Sequence, residues 1–489
     1  MITVGFPELF RLVLPEVIVV AAALAVLSVD LLFMRAAARR TRFAVAAVIS
    51  CIGCLVAAVQ MLMVPQQASV FDGMLVISPQ TQMIQIALLV MAMLVILLSI
   101  DSTFTPHVGE YLALILFATA SMMFLVSSEN ILLIFISLEL LSLSLYILAA
   151  FNKQSVRSAE AALKYFIFGG ISAAFALFGL SLVYGLSNST NLTQIAAAIK
   201  NPLDPLLFAA IVMVVVGFGF KVAAVPFHFW APDVYEGAPT SSAALIASSS
   251  KVAGFVIFYK VMVIGFAGAE GSGVWRGYVS GWVPVIATIA ALSMVLGNLV
   301  AISQTSVRRL LAYSAIAHGG YMLLGIVSHT PQSFDALLYY VVTYALTTIG
   351  AFGVVAVVED KIGGDKLSDF AGLSRRAPVL SFCMLIFMLS LAGIPPLAGF
   401  FGKFYLFTSV LTAQARTLGL LWLVILAILM STVSLYYYLQ VLKRIYIAPT
   451  LDDAGPIRTP IVAQTILCLI AFGVVVLGCA PNILLVWLK

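Results

Sequence analysis

Uninterrupted apolar runs of about twenty residues recur from one end of this chain to the other, and they fix the solvent in which it folds. IALLVMAMLVILL (86–98) is the wholly apolar heart of one such run. Of the 489 residues 63% are hydrophobic and only 9% charged, against about 25% charged in an ordinary soluble domain. One core cannot bury that much apolar surface, so lipid must cover most of it. Lipid offers no partner to a bare peptide group, so spanning segments must be helices or a closed barrel. The runs do not alternate with period two, which selects helices. The expected fold class is an all-α polytopic membrane protein.

Fourteen spans follow, at approximately 11–33, 43–64, 79–100, 109–128, 130–151, 160–186, 205–227, 240–266, 281–303, 309–327, 334–357, 378–411, 418–447 and 459–487. No connection is long enough for a soluble domain, so 1–489 reads as a single integral membrane domain. The opening MITVGFPELFRLVLPE has no basic stretch followed by a small-residue cleavage site, and no removable signal peptide is expected. Five cysteines (51, 54, 383, 468 and 479) fall in or beside apolar runs. Cys51 and Cys54 lie inside a span without a second pair, so they read as small apolar-facing residues rather than a metal or redox site. The net charge of +5 gives no argument for nucleic acid, because the basic residues sit in short loops.

Those loops orient the bundle. Odd-numbered loops hold fifteen basic residues: Arg35, Arg39, Arg40, Arg42, Lys153, Arg157, Arg308, Arg309, Lys361, Lys366, Arg375, Arg376, Lys443, Arg444 and Arg458. Even loops and the termini hold five, namely Arg11, Lys200, Arg276, Arg416 and Lys489. The positive-inside rule then places odd loops in the cytoplasm and both termini on the periplasmic side. Trp275, Trp282, Trp422 and Trp487 stand near span ends, as interfacial aromatics do, and Tyr436–Tyr438 read as part of the same belt.

Five of the 25 basic residues remain, all lysines in or beside spans: Lys164, Lys221, Lys251, Lys260 and Lys403. A charge at the bilayer centre costs about 2.5–3.5 kcal/mol on insertion scales. Lys260, near a span end, is expected to snorkel, and Lys164 has Glu160 as an i,i+4 partner. Lys221, Lys251, Lys403 and the carboxylate Glu139 lie too deep for that. Asp233 and Glu236 read as loop charges that cap a turn. No nucleotide motif is present: GFGF (217–220) lies inside a span and lacks the full G-x-G-x-x-G.

Two spans are broken. Pro226 follows Lys221 by five residues, and the twelfth span contains GIPPLAGFFGK (393–403). A break frees backbone groups that lipid cannot satisfy, so it should line a hydrated interior. Broken helices with lysines in matching places of two halves point to an ion site within an inverted repeat. EAALKYFIFGGISAAFALFG (160–179) has the same run of small and aromatic residues as DALLYYVVTYALTTIGAFG (335–353). On that comparison His318 takes the place of Glu139, and Lys403 that of Lys221. The expected organisation is three N-terminal helices (1–107), a first five-helix repeat over spans 4–8 (108–268), an inverted second repeat over spans 9–13 (281–447), and a closing helix (459–489).

PFHFWAPDVYEGAPT (226–240), the glutamate in ISLELLSLSLY, and LAGIPPLAGFFGKFYLF (391–407) resemble the antiporter-like subunits of respiratory complex I, the proton-translocating NADH:quinone oxidoreductase. The resemblance covers essentially the whole chain. PDVYEGAPT is similar to the N-type rather than the L- or M-type subunits. One departure is Ser241-Ser242, where the family usually has Pro-Val. The resemblance implies a proton-translocating membrane-arm subunit in a bacterial inner membrane, beside other membrane-arm subunits, with no redox centre of its own. NADH, FMN, iron–sulfur clusters and quinone would belong to partner subunits. It also implies roles: Glu139 and Lys221 as an ion pair, Lys251 as the connecting lysine, and Lys403 as the exit-side residue. Lys164, His228 and His318 would support the relay. The competing reading is a subunit of a cation/proton (Na+/H+) antiporter complex. A sodium site would want several oxygen ligands near the break, and this layer offers chiefly lysines.

Overall fold

Polar caps and prolines start helices where the apolar runs begin. Ser78, Asn130, Ser155, Asp204 and Ser306 each accept a backbone N–H from the first turn of the helix that follows. Thr330 and Ser333 form a reciprocal capping box beside Pro331. These side chains satisfy first-turn donors that would otherwise be orphaned. The computed structural model describes residues 6–63, 67–199, 204–275, 277–413, 419–449 and 455–488.

The main helices are α1 (Leu14–Phe33), α2 (Arg39–Met63), α3 (Pro79–Leu98), α4 (Val108–Ser127), α5 (Ile131–Ala149) and α6 (Val156–Ser187). They are followed by α7 (Pro205–Lys221), α8 (Trp230–Gly237), α9 (Thr240–Ala247), α10 (Ser249–Tyr259), α11 (Trp282–Ile302) and α12 (Val307–Ser328). The chain closes with α13 (Pro331–Ile362), α14 (Pro378–Ala392), α15 (Ala398–Ala413), α16 (Leu421–Tyr446) and α17 (Ile461–Cys479). Among the described residues 12 stretches are long and apolar enough to cross a membrane, and α7 and α14 are shorter apolar helices. Together they account for the fourteen spans. Two short antiparallel hairpins, Ala68–Val70 with Leu75–Ile77 and Ser272–Val274 with Gly277–Val279, lie in connections.

Spans seven and twelve are interrupted as expected, each becoming two helices. The eighth is also jointed: α9 and α10 meet at Ser248, whose φ/ψ of −116°/−87° leaves the helical range. Burial is uneven. The Thr240–Gly265 stretch is buried except at Val263 and Ile264, and α12 is nearly all buried, whereas α1, α6, α16 and α17 bury about a third of their apolar cores. The outer helices therefore meet lipid, and the inner ones can hold polar groups away from it. Lys200, Arg276, Arg416 and Lys489 of the basic-poor side lie outside the described residues.

Candidate functional site

The first break supplies its own backbone partners. α7 ends at Lys221 and the chain turns through Ala223, held at φ 58°. The Trp230 indole donates to the carbonyl of Phe220 at 3.0 Å, and the backbone N–H of Val225 donates to Ser293 Oγ of α11 at 2.9 Å. Lys221 thus sits in the last turn of a half-helix, where aligned peptide dipoles favour a cation. It is 4% exposed, and its ammonium donates to Ser142 Oγ of α5 at 3.3 Å. Glu139 lies one turn before Ser142. Both it and Lys221 line a cavity of about 30 Å3 together with Tyr146 and Ser172. At about 10–15 Å3 per molecule that is room for roughly two waters. The expected direct ion pair is not formed: no oxygen of Glu139 comes within 4.0 Å of the Lys221 ammonium. The carboxylate and the cation face a shared space instead.

Lys251 lies next along the row. Gly254, one turn further on α10, lies against the stem of Lys221, in ordinary contact range. A Cβ would lie 3.5 Å from Lys221 Cγ. The Lys251 ammonium donates to the carbonyl of Ala315 on α12 at 2.6 Å and stands 5.9 Å from the centre of the Tyr344 ring. Tyr344 also packs on His318, with ring centres 4.9 Å apart. His318 is fully engaged: Nδ1 pairs with Tyr340 Oη at 2.7 Å and Nε2 with Tyr438 Oη at 3.0 Å. Tyr438 in turn meets Ser314 Oγ at 2.5 Å. On its other side His318 meets the edge of Tyr321 at 5.7 Å, and the face of that ring lies 5.3 Å from the Lys403 ammonium. Lys251, His318 and Lys403 are therefore joined through shared aromatic partners.

The second break holds Lys403. α14 ends at Ala392, Gly393 turns the chain at φ 87°, and α15 begins at Ala398. The Lys403 ammonium reaches back to the carbonyls of Leu391 and Ala392 at 3.1 Å each, and to Ser431 Oγ of α16 at 2.8 Å. The lysine fills the acceptors that the break leaves open. Both Lys221 and Lys403 thus sit at the negative end of a half-helix, but Lys221 precedes its break in the chain and Lys403 follows its own.

The remaining candidates lie at the edges. Lys164 bonds Glu160 and Asp233 at 2.7 Å each, and Arg309 bonds Asp233 at 2.8 Å and Glu236 at 2.9 Å. Asp233 and Glu236 are thus bridges between spans rather than turn caps. Burial pushes the Asp233 carboxyl up, but hydrogen bonds from Lys164 and Arg309 outweigh it and hold the group below the usual carboxylate range. Arg308, expected in a loop, is buried against the carbonyls of Tyr235 and Ala238 and paired with Glu359 at 3.0 Å. Lys260 does not snorkel: it is 9% exposed and donates to the Val126 carbonyl at 2.9 Å, with Glu129 Oε1 at 3.6 Å. His228 is buried beyond the first break with Nδ1 unpartnered.

Sequence reading missed the tyrosines. Tyr436 is exposed, but Tyr437 and Tyr438 are buried, and Tyr437 donates to Asn298, which donates to Tyr321. They are internal hydroxyl carriers, not an interfacial belt. The signal lay in DALLYYVVTYALTT, where three tyrosines fall inside one span. Of the four tryptophans expected near span ends, Trp282 is fully buried and bonds the Phe266 carbonyl, while Trp275 and Trp487 are exposed.

Residues 128–431 match the family described as NADH:quinone oxidoreductase/Mrp antiporter, transmembrane. The chain belongs to that family. All seven candidate residues, from Glu139 to Lys403, lie inside the matched segment. A relative from Acidobacterium capsulatum, named NADH-quinone oxidoreductase subunit N 2, is 54% identical and aligned over 99% of each chain. A chain of respiratory complex I from Thermus thermophilus superposes with a TM-score of 0.77 at 31% identity, over 96% of this chain and 98% of that one. A chain of the Mrp complex from Dietzia sp. gives a TM-score of 0.82 at 18% identity over 97% and 96%, a likeness of fold.

Proposed function

We propose that the protein is a proton-translocating membrane-arm subunit of a bacterial NADH:quinone oxidoreductase. The observation that carries this reading is the set of three buried lysines, 221, 251 and 403. Among the described residues none of the three has a carboxylate oxygen within 4.0 Å. Removing an ammonium from water costs several kcal/mol even after relaxation, and neutral hydroxyls and carbonyls offset only part of that. A row of such groups is poor structural glue. As sites that gain and lose a proton, they have a use.

The geometry suggests the order. Glu139 and Lys221 share a water-sized cavity, so approach of the carboxylate favours the charged lysine and retreat favours release. The released proton moves to Lys251 and crosses from there to His318 by way of water, because the Tyr344 ring packed between them holds no exchangeable proton on its face. His318 takes a proton at one ring nitrogen and gives one up at the other, with Tyr340 and Tyr438 hydroxyls at the two ends. Lys403 receives it and passes it to the far side. Lys164, held by Glu160 and Asp233, and the unpartnered nitrogen of His228 act as supporting positions nearer the entry. The row offers ammonium groups where sodium would want oxygens, which favours protons over a sodium/proton antiport.

Nothing in this route oxidises or reduces a substrate, so the driving force comes from companions. NADH, FMN, iron–sulfur clusters and quinone are assigned to partner subunits, and further antiporter-like subunits to the neighbouring membrane arm. In this reading the basic loops face the cytoplasm, both termini face the periplasm, and 108–268 and 281–447 form the two inverted repeats. Purification from membranes in mild detergent tests the assignment: companion chains bearing flavin and iron–sulfur clusters, with quinone-dependent NADH oxidation, are expected. Co-purification with cation-antiporter chains and no redox activity would overturn it.

A further inference from the structure

We propose that Glu16 is a proton-binding site in the N-terminal helices, a neutral carboxylic acid whose hydroxyl is shared with the amide oxygen of Gln60. This goes beyond the proposed lysine row and does not rest on it. Glu16 lies in the first turn of α1 and is 2% exposed. Its Oε1 accepts from Gln85 Nε2 of α3 at 2.7 Å, and the same amide nitrogen donates to the carbonyl of Met123 on α4 at 3.2 Å. Both protons of that amide are thereby used. Glu16 Oε2 is buried with no partner, and so is Gln60 Oε1 of α2. The two residues line one cavity of about 10 Å3, with Gln82, Gln85 and Arg11.

Turned end for end, the Gln60 amide would donate its NH2 to an ionised Glu16, an arrangement that the infrared test below separates from this one. With the Gln60 amide oxygen turned toward Glu16, these two acceptors cannot bond each other unless a proton lies between them. The cavity is at the lower limit for one water, about 10–15 Å3. If Glu16 is neutral, its O–H donates to Gln60 directly or through that water, and both unpartnered oxygens are satisfied at once. If it is ionised, an unpaired carboxylate is buried beside a second acceptor. The charged groups nearby do not rescue the ion. Arg11 borders the cavity but is exposed and forms no ion pair with Glu16 within 4.0 Å. Asp30 and Arg42 bond each other at 2.6 Å, about 21 Å further along α1 at 1.5 Å per residue. Glu110, at the far end of α4, pairs with His107. The helix N-terminus favours an anion only weakly compared with the penalty for burying one unpaired.

Infrared spectroscopy of the purified membrane complex at neutral pH tests this. The wild-type minus Glu16→Gln difference spectrum is expected to show one neutral carboxylic acid carbonyl stretch, sensitive to H2O/D2O exchange and displaced in Gln60→Leu. Loss of carboxylate stretches instead, with no acid carbonyl band, overturns the proposal. Should Glu16→Gln alone fail to assemble, the exchange Glu16→Gln with Gln60→Glu keeps one acid and one amide in the same cavity. That double variant is expected to retain the acid band, and a carboxylate signature from it would equally sink the idea.

Discussion

His318 offers the sharpest separation of transport from stability, because its two ring nitrogens each hold one tyrosine. His318→Leu removes both bonds. Tyr438 keeps Ser314 as a partner, but Tyr340 loses the one hydrogen bond its hydroxyl makes among the described residues. A buried orphan costs about 1–3 kcal/mol, and the second lost bond about 1 kcal/mol more. His318→Leu should therefore destabilise the protein by about 2–4 kcal/mol. His318→Gln presents one donor and one acceptor over a similar reach, so its cost should stay within about 1 kcal/mol. It cannot take up a proton at neutral pH. Both variants break the relay between Lys251 and Lys403, and a barrier raised by about 1.4 kcal/mol already slows transfer tenfold. The assay pairs thermal unfolding in detergent with proton uptake by reconstituted vesicles during NADH oxidation. The reasoning predicts that His318→Gln unfolds like wild type and loses this chain's share of pumping. Normal pumping by His318→Gln beside a defect in His318→Leu would show that the imidazole only fills space.

Other perturbations address the surroundings. Gly402→Ala would set a methyl 2.5 Å from the ring of Tyr340, displacing the partner of His318 next to Lys403. Pumping should fall although no titratable group is replaced, and unchanged pumping would refute the role of Tyr340. Asp233 has a folded-state pKa below its unfolded value, so its contribution to stability is full above about pH 4 and fades as pH drops through the depressed value. Asp233→Asn should therefore lower stability at neutral pH, and the difference from wild type should shrink in acid. A difference that grew in acid would contradict the two bonds from Lys164 and Arg309.

Much of this site was legible in the sequence because charge inside an apolar run has few innocent explanations. Lys221, Lys251 and Lys403 stood out by depth, and Pro226 and GIPP marked the breaks. The three lysines occupy buried, hydrogen-bonded positions along adjoining helices, as that reasoning requires. Relations that depend on which face a residue occupies were not legible. Tyr437 and Tyr438 sit beside exposed Tyr436, and only the packing of α16 on α11 and α12 turns the first two inward. Lys260 looked close enough to a span end to reach water, but the Val126 carbonyl and Glu129 take its ammonium inside. Asp233 and Glu236 followed a proline break and read as turn charges. Their partners, Lys164 and Arg309, lie on helices distant in sequence. The joint at Ser248 carries no proline or glycine to announce it.

The central claim is that Lys221 is charged and discharged during turnover. The most direct measurement is the number of protons moved per electron by the assembled complex carrying Lys221→Ala, reconstituted in sealed vesicles. Full assembly, with the ratio reduced by this chain's contribution, is the predicted result. An assembled variant that moves as many protons per electron as wild type would contradict the account.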